Sequence, residues 1–211
     1  MTKRLLTIIS TMVLVAVATR AQQAPSTTTT ATPPSSQEQQ QQAGSVASAP
    51  SYSFKLKGID GKLYDSAAMR GEVLVVSFGA TWCAPCAWEL VAIEELKEEY
   101  KGKPVRFLWI SIETQERTSN ALLKHYAKTN RLTIPVLRDE DGRTFMQFST
   151  SVRIPLVVFF DREGRFVAPS HRGMSQDTTK YKELVRARVN ALLKDGAATG
   201  SARDAATEKL K

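Results

Sequence analysis

At 211 residues, 42% hydrophobic and 24% charged, the chain is long enough for one well-cored domain plus extensions that need not fold. Its formal charge of +8 favours an acidic partner or an anionic surface, but no block of lysine and arginine and no aromatic-interleaved basic stripe occurs, which argues against nucleic-acid binding. The two cysteines, Cys83 and Cys86, lie too close together to close a useful loop, so the pair reads as chemical and not as a structural staple.

Residues 1–21 have the form of an export signal. Lys3 and Arg4 precede a mostly apolar run at 5–18, and small residues follow at Ala16, Ala18 and Ala21. The run is short for a membrane span, which needs about 20 apolar residues. Cleavage is expected after Ala21, with Ala18 as the other candidate and an uncleaved anchor as the alternative. Residues 22–50 are Gln, Ser, Thr, Ala and Pro without hydrophobic periodicity, the composition of a disordered linker. If the leader stayed in a membrane, such a linker would hold the following domain about 30 Å away; a spacer without function is the plainer reading.

From residue 51 the pattern is that of a folded domain, expected to run to 195. Phe54 and Leu56 alternate with polar residues before Asp60-Gly61, which suggests an N-terminal β-hairpin. The continuous run 73–78 reads as a buried central strand. A helix is expected over 85–100, closed by Gly102, with one apolar and one charged face. Strand 105–112, helix 117–129 and short strand 134–137 follow. A long apolar strand at 156–160, a turn at 161–164 and an edge strand at 166–168 lead to a last helix over 178–194. Asp177 is its expected N-cap and Gly196 its stop, leaving 196–211 as a flexible tail. Strands alternating with helices, then a hairpin and a terminal helix, indicate an α/β domain with a central mixed β-sheet flanked by helices.

The chemistry centres on residues 77–86, Ser-Phe-Gly-Ala-Thr-Trp-Cys-Ala-Pro-Cys. A strand ends and a helix begins inside this segment, which sets Cys83 at a helix N-terminus. Unpaired N–H groups and the positive dipole end there stabilise thiolate over thiol. The thiolate is what attacks a disulfide, and Cys86, one turn on, is near enough to resolve the mixed disulfide. No cofactor is needed beyond the Cys83–Cys86 couple itself.

Thr81-Trp82-Cys83-Ala84-Pro85-Cys86 resembles the W-C-x-P-C core of the thioredoxin superfamily, and with Gly71, Phe78, Ala80 and Glu89 it is similar to the extracytoplasmic TlpA/ResA/CcmG branch. The resemblance covers about residues 52–193 and implies a thioredoxin-like fold. It implies a cis-proline opposite the cysteines, matched by Ile154-Pro155, whose backbone would pair with an extended substrate; an ordinary strand-entry proline is the local alternative, and Pro135 a competitor. It implies that Trp82 and Pro85 contact substrate. Ser77 stands where classical thioredoxins carry a buried acid, and Glu89, three residues after Cys86, is implied as the proton shuttle in its place. Val91 and Gly79 depart from the branch, replacing a frequent proline and a frequent aromatic; Gly79 is expected to open space beside the site. Trp109 reads as core. His125 and His171 are isolated and lack zinc-ligand spacing, so no metal site is expected.

The resulting expectation is an extracytoplasmic, possibly membrane-tethered oxidoreductase that reduces disulfides of other exported proteins and is itself recharged by a membrane electron donor. No histidine separates the cysteines, as one commonly does in strongly oxidising relatives. The alternatives are a thiol peroxidase, against which Thr81 lies two residues before Cys83 where three would be required, and a redox-fold binding module, against which the cysteine pair is intact.

Overall fold

The computed structural model describes residues 52–174 and 176–208, with side chains through 195. The expected leader (1–21) and linker (22–50) lie outside the described residues. The described residues all fall in the second of the two units into which the chain divides, Ser48–Lys211.

Seven strands, β1 (Lys55–Gly58), β2 (Leu63–Asp65), β3 (Val73–Gly79), β4 (Val105–Ser111), β5 (Val136–Arg138), β6 (Leu156–Phe160) and β7 (Phe166–Arg172), form one sheet in the order β2-β1-β5-β4-β3-β6-β7. β3, β4 and β5 run parallel, while β6, β7 and the β1–β2 hairpin are antiparallel to their neighbours. The helices are α1 (Ala84–Glu99), α2 (Asn120–Thr129), α3 (Arg143–Met146) and α4 (Thr178–Glu208). This is the mixed, helix-flanked sheet expected from the sequence. The hairpin is no appendage, because β1 also pairs with β5 through Lys57↔Arg138 and Gly58↔Leu137.

Every residue of β3 is buried, as an apolar run with both faces covered should be. Successive side chains on a strand point to opposite faces. Val73 and Val75 join Leu90, Ile93 and Leu96 of α1 and Val185 and Val189 of α4 in one core. Leu74, Val76 and Phe78 join Phe54, Phe145 and Phe160 in a second core across the sheet. The same alternation turns Ser77 and Gly79 toward α1, and that places the site.

Asp177 caps α4, its Oδ1 accepting from the Thr179 N–H at 2.9 Å, and Ser119 caps α2. The stop expected at Gly196 does not occur, and α4 continues to Glu208. The two interior glycines, Gly196 and Gly200, cost about 1 kcal/mol each relative to alanine, and the alanines at 197, 198, 202, 205 and 206 favour helix around them. The last strand is longer than 166–168: β7 runs to Arg172 through a cis Ala168–Pro169 bond, allowed because β7 is an edge strand. The single-turn helix α3 and a 3-10 turn at Ser66–Met69 are too short to show a period in the sequence.

Candidate active site

β3 ends at Gly79 and α1 begins at Ala84, so residues 80–83 turn the chain from sheet to helix. Cys83 is the N-cap of α1, its backbone extended at φ −88° and ψ 98°, and its Sγ accepts from the Cys86 N–H at 3.2 Å. Pro85 sits in the first turn, where its missing N–H would have been unpaired anyway. Cys83 and Cys86 are joined in a disulfide with a Cα–Cα distance of 5.2 Å. Cys83 retains 5% exposure and Cys86 none, so an incoming sulfur has access to Cys83 alone.

Three of the sequence-derived residues surround the pair. Trp82 projects into solvent at 63% exposure. The Ile154–Pro155 bond is cis, and Ile154 packs against the cluster of Ala80, Cys83 and Cys86 together with Ile112. Gly173 closes the loop from behind, its N–H donating to the Pro155 carbonyl at 3.0 Å. Because the β3–β6 ladder stops at Phe78↔Leu156, the Ile154 backbone lies beyond the end of the sheet, beside the cysteines.

Glu89 is buried one turn of α1 below Cys86 and accepts from the Ser77 hydroxyl at 2.5 Å. Burial pushes its pKa up to about 7, a rise only partly offset by the hydroxyls of Ser77 and Tyr181. The Tyr181 hydroxyl faces this carboxyl from α4 without completing a hydrogen bond of good geometry. Ser77, which cannot act as an acid, is thus the direct partner of the glutamate.

Two features depart from the sequence reading. Gly79 does not open space toward a partner: it is buried, and a Cβ placed on it would lie 2.7 Å from Trp109 Nε1 and 3.2 Å from Cys86 Sγ. Trp109 of β4 fills the volume that a side chain at 79 would take. Glu113, absent from the sequence-derived set, lies just beyond β4 and is 5% exposed. Its carboxylate accepts from the Thr81 N–H and hydroxyl, both at 2.8 Å, from Thr118 at 2.7 Å and from Ser111 at 3.2 Å. Burial alone would raise its pKa, but these donors outweigh it and hold the carboxyl below the usual range. Arg138 of β5 fixes the same segment by donating to the carbonyls of Glu113 and Thr118. The available signal was an acid directly after a strand run, facing the Ser-Phe-Gly-Ala-Thr turn of a parallel neighbour.

The arrangement combines a reachable sulfur at a helix N-terminus, a buried partner sulfur and a carboxyl that changes charge near neutrality. Among the described residues no group of three or more His, Cys, Asp or Glu is placed to hold a metal ion. His171 lies on β7 near the Tyr181 ring and His125 on the exposed side of α2. Val91 is exposed on an unbroken α1.

A family model described as Redoxin matches residues 20–185. The chain is 35% identical over 95 residues to the Thioredoxin-like protein YneN of Bacillus subtilis (strain 168), spanning 44% of this chain and 53% of that one. It is 25% identical over 115 residues to the Thiol-disulfide oxidoreductase ResA of Bacillus thuringiensis subsp. konkukian (strain 97-27), spanning 54% of this chain and 64% of that one. The matched segments therefore take in less than two thirds of either relative. Among solved structures, a thiol:disulfide interchange protein of the thioredoxin family from Chlorobium tepidum TLS superposes with a TM-score of 0.56 at 26% identity, over 68% of this chain and 95% of that one.

Proposed function

This chain belongs to the Redoxin family, and we propose that it is a thiol–disulfide oxidoreductase that reduces disulfides of exported proteins through Cys83 and Cys86. The observation that carries this reading is the disulfide at the N-terminus of α1, reachable only at Cys83, with a carboxyl of pKa about 7 one turn behind it.

In the reduced protein the Cys83 thiolate, stabilised by the first N–H groups of α1, attacks one sulfur of a substrate disulfide. A mixed disulfide forms and the other substrate sulfur leaves with the electron pair. Glu89 in its carboxylate form takes the proton of Cys86. The Cys86 thiolate then attacks Cys83 Sγ, the Cys83–Cys86 bond forms, and the substrate leaves as a dithiol. Two electrons have passed from the pair to the substrate, and a dithiol donor restores them by the reverse sequence. Trp82 and the backbone at Ile154–Pro155 border Cys83, where an extended substrate segment would lie.

The proposed setting is extracytoplasmic, on the strength of residues 1–21, with a membrane dithiol carrier as electron donor and a possible tether through residues 22–50. No helix among the described residues is long and apolar enough to cross a membrane. The equilibrium redox potential tests the direction. A value below about −220 mV is expected for a reductant, whereas one near the DsbA value of about −120 mV would overturn the reductase reading. Cys86→Ser is expected to accumulate substrates as mixed disulfides on Cys83; recovery of none would remove the oxidoreductase reading altogether.

A further inference from the structure

Trp109 is fully buried on β4, yet its indole N–H has no hydrogen-bond partner among the described residues. An unpaired buried donor is costly and calls for an explanation. Tyr126 stacks on the indole at 5.6 Å between ring centroids and 25° between planes, which fixes its orientation. Gly79 shows what lies near the nitrogen. The atoms nearest a Cβ at that position are Trp109 Nε1 at 2.7 Å, Cys86 Sγ at 3.2 Å and Cys86 Cβ at 3.3 Å. The indole nitrogen and the buried sulfur thus both crowd the Cβ position of residue 79, with no hydrogen bond between them in the oxidised pair.

We propose that Trp109 is the hydrogen-bond donor that receives the Cys86 sulfur when the disulfide opens. This rests on the reading of Cys83–Cys86 as the redox centre. A disulfide sulfur is a poor acceptor, whereas a thiolate is a strong, charged one. When an incoming thiolate of a dithiol reductant attacks Cys83 Sγ, the S–S bond breaks and its electron pair moves onto Cys86 Sγ. The nascent anion is fully buried, and the indole nitrogen is the unpaired donor that shares the Gly79 position with it. Glu89, when protonated, then supplies the proton that neutralises the sulfur. The donor acts on the charge that develops during bond cleavage, so it aids opening more than it stabilises the closed form. Gly79 is the condition for this approach, because a Cβ there would clash with the indole nitrogen at 2.7 Å and crowd the sulfur at 3.2 Å.

The test is the indole N–H resonance of Trp109 in the full-length chain, oxidised and then reduced with dithiothreitol, assigned by its loss in Trp109→Phe. On reduction the proton is expected to move downfield, and from about pH 6 to about pH 10 to follow the titration of one thiol. In Trp109→Phe, opening by dithiothreitol is expected to slow about tenfold while Glu89 keeps its own titration. A resonance at the same position in both redox states and at all pH values overturns the inference and leaves the oxidoreductase reading intact. A pair that dithiothreitol cannot open overturns both. Gly79→Ala, whose methyl would crowd both groups, is expected to reproduce the slowed opening; opening as fast as in the unaltered chain would also count against the contact.

Discussion

Two buried glutamates flank the cysteine pair, and they have opposite characters. Glu89, between α1, β3 and α4, receives one hydroxyl at 2.5 Å and is pushed up to about 7. Glu113, at the end of β4, receives a backbone N–H and three hydroxyls and is held below the usual carboxylate range. One buried carboxyl can therefore gain and lose a proton at neutral pH, while the other is a fixed anion. Glu89 is the more deeply desolvated and Glu113 has the more donors, and both differences act in the same direction. The proton-handling group sits behind the buried sulfur. The fixed charge holds Thr81, two residues before the reachable one.

The comparison can be broken most severely at Glu113. Glu113→Ala leaves the Thr81 N–H and two threonine hydroxyls without their acceptor, and a loss of about 3 kcal/mol is expected in urea unfolding, with Glu113→Gln losing about half of that. Because its folded pKa is depressed, the stability Glu113 contributes is present above the ordinary carboxylate pKa and is lost as the pH falls through the folded value. A neutral result for Glu113→Ala would show that the four contacts do not act as a clamp.

Glu89 predicts the reverse dependence. Its folded pKa is raised, so the folded state binds more protons than the unfolded one between the ordinary value of 4.5 and about 7. Stability should fall as the pH rises through that window and level off above it. Relative to Glu89→Gln, which lacks the titration, the unaltered protein should lose about 3 kcal/mol from pH 4.5 to pH 7. Parallel curves for the two proteins would place the Glu89 pKa in the ordinary range.

The same substitution should slow resolution of the mixed disulfide about a hundredfold, the usual scale for removing a positioned base. It should also abolish the rise in rate through about pH 7 that marks ionisation of Glu89. Single-turnover kinetics with a mixed disulfide preformed on Cys83 separates this step from substrate encounter. The smallest effect is expected for Ser77→Ala. Losing one hydroxyl donor worth about 1 kcal/mol should move the Glu89 titration up by less than one pH unit, followed by carboxyl resonances.

Much of this site was legible in the chain because it rests on local rules. The Val-rich run of β3, the turn into α1 and the placement of Cys83 at a helix start follow from periodicity and capping within 14 residues. The resemblance named Pro155 and Glu89; the structure gives a cis Ile154–Pro155 bond and sets Ile154 against the cysteine cluster. Other features misled. Gly196 read as a stop, although the alanines beyond it sustain the helix. Gly79 read as open space, because nothing within its own strand shows what a neighbouring strand will insert there.

By itself the sequence determined the elements around the cysteines, since helix start, buried strand and cysteine spacing are properties of neighbours along the chain. Only the tertiary structure decided how those elements are charged and filled. The Ser77–Glu89 bond joins residues 12 apart, Thr81–Glu113 joins residues 32 apart, and Trp109 reaches Gly79 because β4 lies beside β3 in the register Ser77↔Trp109. Desolvation and donor count depend on which residues the fold brings together, and a strand and a helix that share one window along the chain still do not show whether their side chains meet.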